Sequence, residues 1–512
     1  MSELRIVAPA VGARHPADRH FALPALVAGF TLLRLVLAAA VPLLPQEAYY
    51  WTWSRHLNWS YFDHPPLAAY GIALTTALLG NTVFGIKCAA VLWSLGWNLL
   101  WARLVLDLYG DRRIAFWSLL ALNLTIVYQL FGIGPTPDGP LLFGWVGTVW
   151  AVWRACARDD GRWWLAAGGF AGLAILGKYA AVLLLPVIAG FLVLSPAHRH
   201  WLRRPQPYLA LLIAALLFTP VIGWNAQHDW VSFSFQGSRR VGQMSRFKPH
   251  DLAALAGTQL LLVTPYLFVV ALAAFGRGLR DVVALRADDR TRLLWLSGAV
   301  PLVVFTAVSL RSPVRAHWLG PAWWSLVVLA VASILARGQL RALRLGLASS
   351  GALLAALLGL SLVPDLPIAG NLNSWSGWRE AAAEVANIEH ERQALGERTF
   401  VFSPNYKISS LLRFYLPGQP RTYAQDIYGA PALQYDYFPP GADLKGATGI
   451  LVSSDQDQGR VNLQQLAPYC ASIEPADTIE TRAFGRTTRR VELWLCRGYR
   501  GRPQRREAHA PD

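Results

Sequence analysis

Long apolar runs, separated by short gaps that alternate between arginine-rich and arginine-poor, most constrain what this chain can fold into. A bilayer is crossed by about 20 consecutive apolar residues in a helix. Runs of that kind fall near 21–44, 83–107, 113–132, 139–157, 163–177, 179–195, 208–224, 256–275, 293–310, 319–336 and 344–364. The expectation is therefore an all-α polytopic membrane bundle of about eleven transmembrane helices. Several runs contain Gly or Pro, and the pair around Gly177-Lys178 is short. Composition agrees: 54% of the 512 residues are hydrophobic, 15% are charged, and 22 are Trp.

The surplus of +16 charges does not point to nucleic acid, because no basic stripe sits on a nucleic-acid fold signature. Arginines instead mark alternate gaps. Arg5, Arg14 and Arg19 precede the first run, and Arg112 and Arg113 follow the second. Arg154 to Arg162, Arg199 to Arg204, Arg277 to Arg292 and Arg337 to Arg344 fill later gaps. Such gaps face the cytoplasm. That orientation places residues 1–20 inside and the intervening loops outside. The first apolar run leads straight into a polar loop without a small-residue cleavage site, so no cleavable signal is read there.

With an odd number of spans, the segment beyond residue 364 emerges outside. Its character changes there. NLNSWSGWREAAAEVANIEHERQAL reads as a helix, with approximate recurrence in Ala382, Val385, Ile388 and Leu395. RTFVFS, GILVSS and VELWLC read as short strands between Gly, Pro and Asp. Residues 365–500 are thus expected to form a small α/β unit, and 501–512 a disordered tail. Cys470 and Cys496 lie in this unit, where an oxidising compartment would allow a disulfide between them. Cys88 and Cys156 lie in apolar runs and read as buried small hydrophobes.

Two outward loops concentrate acids beside aromatics. The first, within 45–82, carries QEAYYWTWSRHLNWSYFDHPPLAAY from Gln46 to Tyr70. The second carries Asp138 in GPTPDGP. Ionisable groups at a membrane surface are costly unless they serve a purpose. Cations join them on the same face: Arg55, His64, Lys178, Arg311, Arg315 and His317, with Arg239, Arg240, Arg246 and Lys248 in a further loop. Positive charge on the wrong side of the membrane suits an anionic ligand. Cations stabilise a leaving phosphate, and a carboxylate takes the proton of an attacking hydroxyl.

Each residue also has a plainer reading. Glu47 sits where acids favour a helix start, Asp138 lies in a proline-rich turn, and Asp63 has Arg55 and His64 as bridge partners. Lys178 can snorkel, and Arg311 and Arg315 can meet headgroups. A transporter or a membrane scaffold with an outer binding domain also remains open. The clustering of acids at one interface rather than mid-span and the lack of an inverted repeat favour an enzyme.

EAYYW, SRHL, YFDHPPL, TPDGPLL and GLAILGKYAAVLLLP resemble the polytopic lipid-linked-sugar glycosyltransferases of the GT-C type. The nearest branch is the bacterial lipid A aminoarabinose and galacturonic acid transferases, with protein mannosyltransferases more distant. HWLGPAWW, Gly377-Trp378 and NYKISSLLRFYLPGQP are weaker matches. The resemblance implies an inverting transfer from a polyprenyl-phosphate sugar on the outer face of the bacterial inner membrane. The acceptor would be a lipid, glycan or protein. It implies Glu47, Asp138 and Asp63 as catalytic acids, and Tyr50, Arg55, Tyr61, His64, Lys178, Arg311 and Arg315 as substrate-binding groups. The family's first loop begins with an Asp-Glu pair, whereas this chain has Gln46-Glu47. An amide cannot be a base, so either Glu47 takes over or the acceptor is an anion that needs no deprotonation. No cofactor is required by these motifs; two or three outer carboxylates are donors for a divalent metal, but no ligand spacing demands one.

Overall fold

The computed structural model describes residues 21–237, 248–363, 374–455 and 460–502. Arg5, Arg14, Arg19, Arg239, Arg240, Arg246 and the tail from 503 lie outside the described residues. Helices fill every apolar run. Among the described residues six, such as α1 (Ala22–Ala40) and α4 (Val83–Tyr109), are long and apolar enough to span a membrane, and up to eight if each bent pair is one span. Between them lie α2 (Pro45–Ser54) and α3 (Leu67–Leu79).

Two runs read as single spans are broken. α5 (Arg112–Asn123) and α6 (Ile126–Ile133) meet at 73°, and Pro249–Leu262 meets Pro265–Val283 at 115°. Pro265 explains the second break, since proline disfavours helix in the residue before it; Thr264 there has φ +70. Helices α7 (Asp138–Arg158) and α8 (Arg162–Gly177) follow, then α9 (Leu184–Leu194) and α10 (Gln206–Ala226). The glycine-rich run around Gly168 gives close helix packing: a Cβ at Gly168 would strike the backbone of Ala210 in α10.

Local chemistry sets the ends. Thr82 caps α4 by accepting from the Gly85 amide at 3.0 Å. Gly110, with φ +65, ends that helix. Asp111 then starts α5 by accepting from the Arg113 amide at 2.6 Å.

The arginine-rich gaps gather at one end of the bundle. Arg154 pairs with Asp107 at 2.8 Å, Arg204 with Asp159 at 2.8 Å, and His198 with Asp289 at 3.4 Å. Arg290 donates to the Leu108 carbonyl at 3.3 Å, and Arg344 stacks over Trp117 at 5.7 Å. Within the bundle, Arg34 is fully buried and donates to Gln129 at 3.1 Å and Asn123 at 2.7 Å. Asn123 donates onward to Asn98 at 2.7 Å. This chain of polar groups ties α1 to α4, α5 and α6.

The opposite end carries the loops and the C-terminal unit. Its four-stranded sheet has the order β1 (Thr399–Phe402), β2 (Thr448–Ser454), β4 (Arg486–Arg497), β3 (Ser472–Ala483). β1 and β2 are parallel and the other pairs antiparallel. Strands β1, β2 and β4 fall where the sequence pattern put them, whereas the expected helix begins only at Trp378 (Trp378–Ala394), because 374–377 form a turn before it; residues 371–373 lie outside the described residues. β3 was not read, because its solvent-facing run holds Pro475 and a bulge. Cys470 and Cys496 form a disulfide, while Cys88 and Cys156 are free and buried. Tyr49, Trp51 and Trp53 of α2 share one buried apolar cluster with Trp378, Ile408, Leu411, Val452 and Leu493. The first loop and the C-terminal unit are therefore one packed body.

Candidate active site

Helix α2 turns the start of the first loop inward. Proline at its first position and Glu47 at its third suit a helix N-terminus, and Glu47 Oε2 accepts from the Leu44 amide at 2.9 Å. The same carboxylate grips Lys87 of α4, with Nζ at 2.8 Å from Oε1 and 2.6 Å from Oε2. Both side chains are buried, at 2% and 1% exposure. Buried charges need such pairing. Gly134 of the second loop lies so near that a Cβ there would come within 3.2 Å of Glu47 Oε1. The two acidic loops thus meet.

The second loop delivers Asp138 at the first turn of α7. Lys178, at the end of α8, donates to Asp138 Oδ1 at 2.7 Å. His317 Nε2 stands 3.8 Å from Asp138 Oδ2. Asp138 is buried, and its side-chain neighbours come from three separate stretches of chain.

Asp63 is the third buried acid. Its Oδ2 accepts from the Tyr49 hydroxyl at 2.7 Å. Tyr49 in turn accepts from the Gln434 amide at 3.0 Å, and Gln434 Oε1 accepts from the Phe62 amide at 2.7 Å. Gln236 donates to the Asp63 carbonyl at 2.6 Å. The loop is thereby clamped from both flanks. Burial, the largest influence, raises the Asp63 carboxyl to about 7, partly offset by the Tyr49 hydroxyl and the charge of Lys407. The Tyr50 hydroxyl lies within electrostatic reach of both Asp63 and Asp138, and bonds to the Gln46 side chain. The His64 ring is 6.4 Å from that of Tyr50, and its charge reaches Asp138. Glu47, Asp63 and Asp138, with Tyr50, His64, Lys178 and His317, surround one region at the loop end of the bundle.

Comparison with known proteins bears on this arrangement. The family model for dolichyl-phosphate-mannose-protein mannosyltransferases matches residues 63–224, a stretch that contains Asp63, Asp138 and Lys178. The lipid A galacturonosyltransferase RgtD of Rhizobium johnstonii is 27% identical over 434 residues, covering 82% of this chain and 88% of that protein. The chain is a glycosyltransferase, similar to those of the GT-C type. Its fold is that of ArnT from Cupriavidus metallidurans, solved bound to undecaprenyl phosphate. The TM-score is 0.60 at 15% identity, over 93% of this chain and 98% of that one. Arabinofuranosyltransferase AftD from Mycobacteria gives a TM-score of 0.50 at 14% identity, over 95% of this chain and 40% of that one.

Not every residue singled out in the transferase's sequence joins the acids. Tyr61 is enclosed within the loop, stacked on Trp53 at 4.6 Å, with its hydroxyl 3.2 Å from the Trp53 carbonyl. Arg55 is exposed at the end of α2, and Asp63 takes the Tyr49 hydroxyl instead of bridging to it. Arg315 is exposed, yet its charge reaches His317 and Tyr406. Arg311 is exposed near the end of the helix Asp289–Ser309 and is not brought against the acids.

Lys87, Tyr49 and Lys407 were missed. Lys87 had a signal: a lone cation in an apolar run calls for a partner. Lys407 had only the weak NYKISSLLRFYLPGQP match, which the fold brings to the site through the 4.5 Å contact of Tyr406 with Tyr49. Among the described residues no group of three or more His, Cys, Asp or Glu is arranged to hold a metal ion.

Proposed function

We propose that this transferase moves a sugar from a polyprenyl-phosphate donor, with inversion, onto lipid A or a related envelope lipid. The reaction would take place at the outer face of the bacterial inner membrane, with the C-terminal unit in the periplasm. The observation that carries this reading is the convergence of Asp138, Lys178 and His317 with Asp63 under one loop. The similarity to RgtD, named for lipid A galacturonosyl transfer, supports the acceptor class. The similarity to ArnT, whose structure holds undecaprenyl phosphate, supports the donor class.

The roles follow from the state of each acid. Lys87 grips Glu47 and Lys178 grips Asp138, so each of these acids already has a cationic partner. Asp63, raised to about 7 by burial, is suited to change charge near neutral pH. An acceptor hydroxyl attacks the anomeric carbon while its proton passes to Asp63. The bond from that carbon to the donor phosphate oxygen breaks, and the phosphate leaves with the electron pair. His64, Lys178 and Arg315 would stabilise the charge on the leaving phosphate. Asp138 would orient the sugar or the acceptor, with Tyr50 beside it. Aromatic walls around the loop would keep out water that otherwise hydrolyses the donor.

Mass spectrometry of membrane lipids with and without the gene tests this. A sugar mass lost from lipid A or a related lipid is the expected result. An unchanged lipid and glycan profile, with the protein present in the wild type, would remove the reading.

A further inference from the structure

A second charged cluster lies at the seam between the first loop and the C-terminal unit, and the transfer chemistry does not use it. Arg413, in the helix Tyr406–Tyr415, donates to His56 Nε2 at 3.1 Å and lies over Trp51 at 5.8 Å. Arg421 lies over Tyr423 at 5.4 Å, and Gly441 lets the chain pass against its guanidinium. Arg55 completes the group: its charge acts on both His56 and Arg413. His56 is lowered to about 4, by burial first and then by Arg413, Arg421 and Arg55. It is therefore neutral and cannot answer a positive charge with a negative one.

Asp426 offsets the charge of Arg421 only in part. Arg55, Arg413 and Arg421 make no ion pair among the described residues, since Asp426 makes its direct pair with Arg502, at 2.9 Å. The Nε of Arg413 is buried without a hydrogen-bond acceptor. Arg413 and Arg421 are half-buried with exposed Arg55 at their edge; like charges so placed repel one another, and a buried donor without a partner is costly. Packing on Trp51 alone would be served as well by an uncharged side chain. Planar guanidinium forks, in contrast, match phosphate and carboxylate oxygens in pairs.

We propose that Arg55, Arg413 and Arg421 form an anion site that holds phosphate or carboxylate groups of the lipid-anchored saccharide acceptor. The inference rests on the transferase reading for the identity of its ligand. The site would fix the acceptor by its charged substituents while the loop acids act on its reacting oxygen.

The test is binding, measured on the full-length protein in phosphatidylcholine nanodiscs. Three probes distinguish the source of the anion: bisphosphorylated lipid A, the same lipid with both phosphates removed, and lipid A carrying acidic sugars but no phosphate. Wild type should bind one or both anionic forms at least about tenfold more tightly than the neutral one, as expected for loss of a charge-assisted bond. The double variant Arg413→Gln/Arg421→Gln should lose that preference, and Arg413→Lys/Arg421→Lys should keep part of it. Binding of undecaprenyl phosphate should be unchanged in both, and thermal unfolding separates loss of the site from loss of the fold. Equal affinity for the neutral and anionic lipids would overturn the proposal. So would the same arginine-dependent gain with phosphatidylglycerol nanodiscs or inorganic phosphate. Because binding is read without turnover, a protein that binds as described yet transfers no sugar would sink the transferase reading and leave the site standing.

Discussion

Lys178 Nζ sits 2.7 Å from Asp138 Oδ1, joining the end of α8 to the start of α7 inside the bundle. Forty residues separate the two along the chain, and each neutralises a charge that neither could carry alone in that setting. Asp138→Asn is expected to lower sugar transfer by about a hundredfold or more, the range for loss of a positioned acid or base. Lys178→Met should do likewise, and Lys178→Arg should retain part of the activity. Transfer assays on protein of normal expression level measure this; near-normal turnover in Asp138→Asn would take the residue out of the mechanism.

Glu47 and Lys87 make a second buried pair, and removing one partner strands the other. Lys87→Met or Glu47→Gln alone should cost about 3–5 kcal/mol of stability. Combining them should cost much less than the sum, since no buried charge is left. A double-mutant cycle on thermal unfolding midpoints reads the coupling. Strict additivity would mean the pair does not act as a unit.

Asp63 gives a pH dependence. Its carboxyl is raised to about 7 in the folded protein, against an unfolded value of about 3.9. The folded form thus keeps a proton that the unfolded chain has lost. The stability this group contributes is fully present below the unfolded value and is lost as pH rises through about 7. Activity runs the other way: a proton acceptor must be ionised, so transfer should climb between about pH 6 and about pH 8. Asp63→Asn should abolish that limb in a pH–rate profile, and an unchanged profile would assign the limb elsewhere.

The Cys470–Cys496 disulfide closes a stretch with a sequence separation of 26, a constraint worth about 3 kcal/mol by loop entropy. Replacing both cysteines by Ala should lower the unfolding midpoint of the C-terminal unit. A reductant should lower it in the wild type and leave it unchanged in the variant.

Periodicity alone specifies much of this fold. Apolar runs of membrane length admit little besides helices, because lipid leaves backbone polar groups no other partner, and each run is helical in the structure. Arginine-rich gaps fixed which ends meet, and they do meet, through contacts such as Arg204 with Asp159. The acids were visible for the same reason: a charge beside lipid is conspicuous.

What the sequence could not decide is which cation answers which acid. Lys87 and Glu47 are distant along the chain, and only the approach of α4 to α2 pairs them. The breaks after Asn123 and Leu262 also escaped, because an apolar run reads the same whether it is straight or bent. The docking of Tyr406, Lys407 and Arg413 onto the first loop comes from a shared core that unites residues more than 300 positions apart. Composition and spacing act locally, so they determine which segments enter the membrane and where charge is tolerated. Proton affinity and pairing depend on burial and on neighbours brought together by packing, and those exist only once the chain has folded.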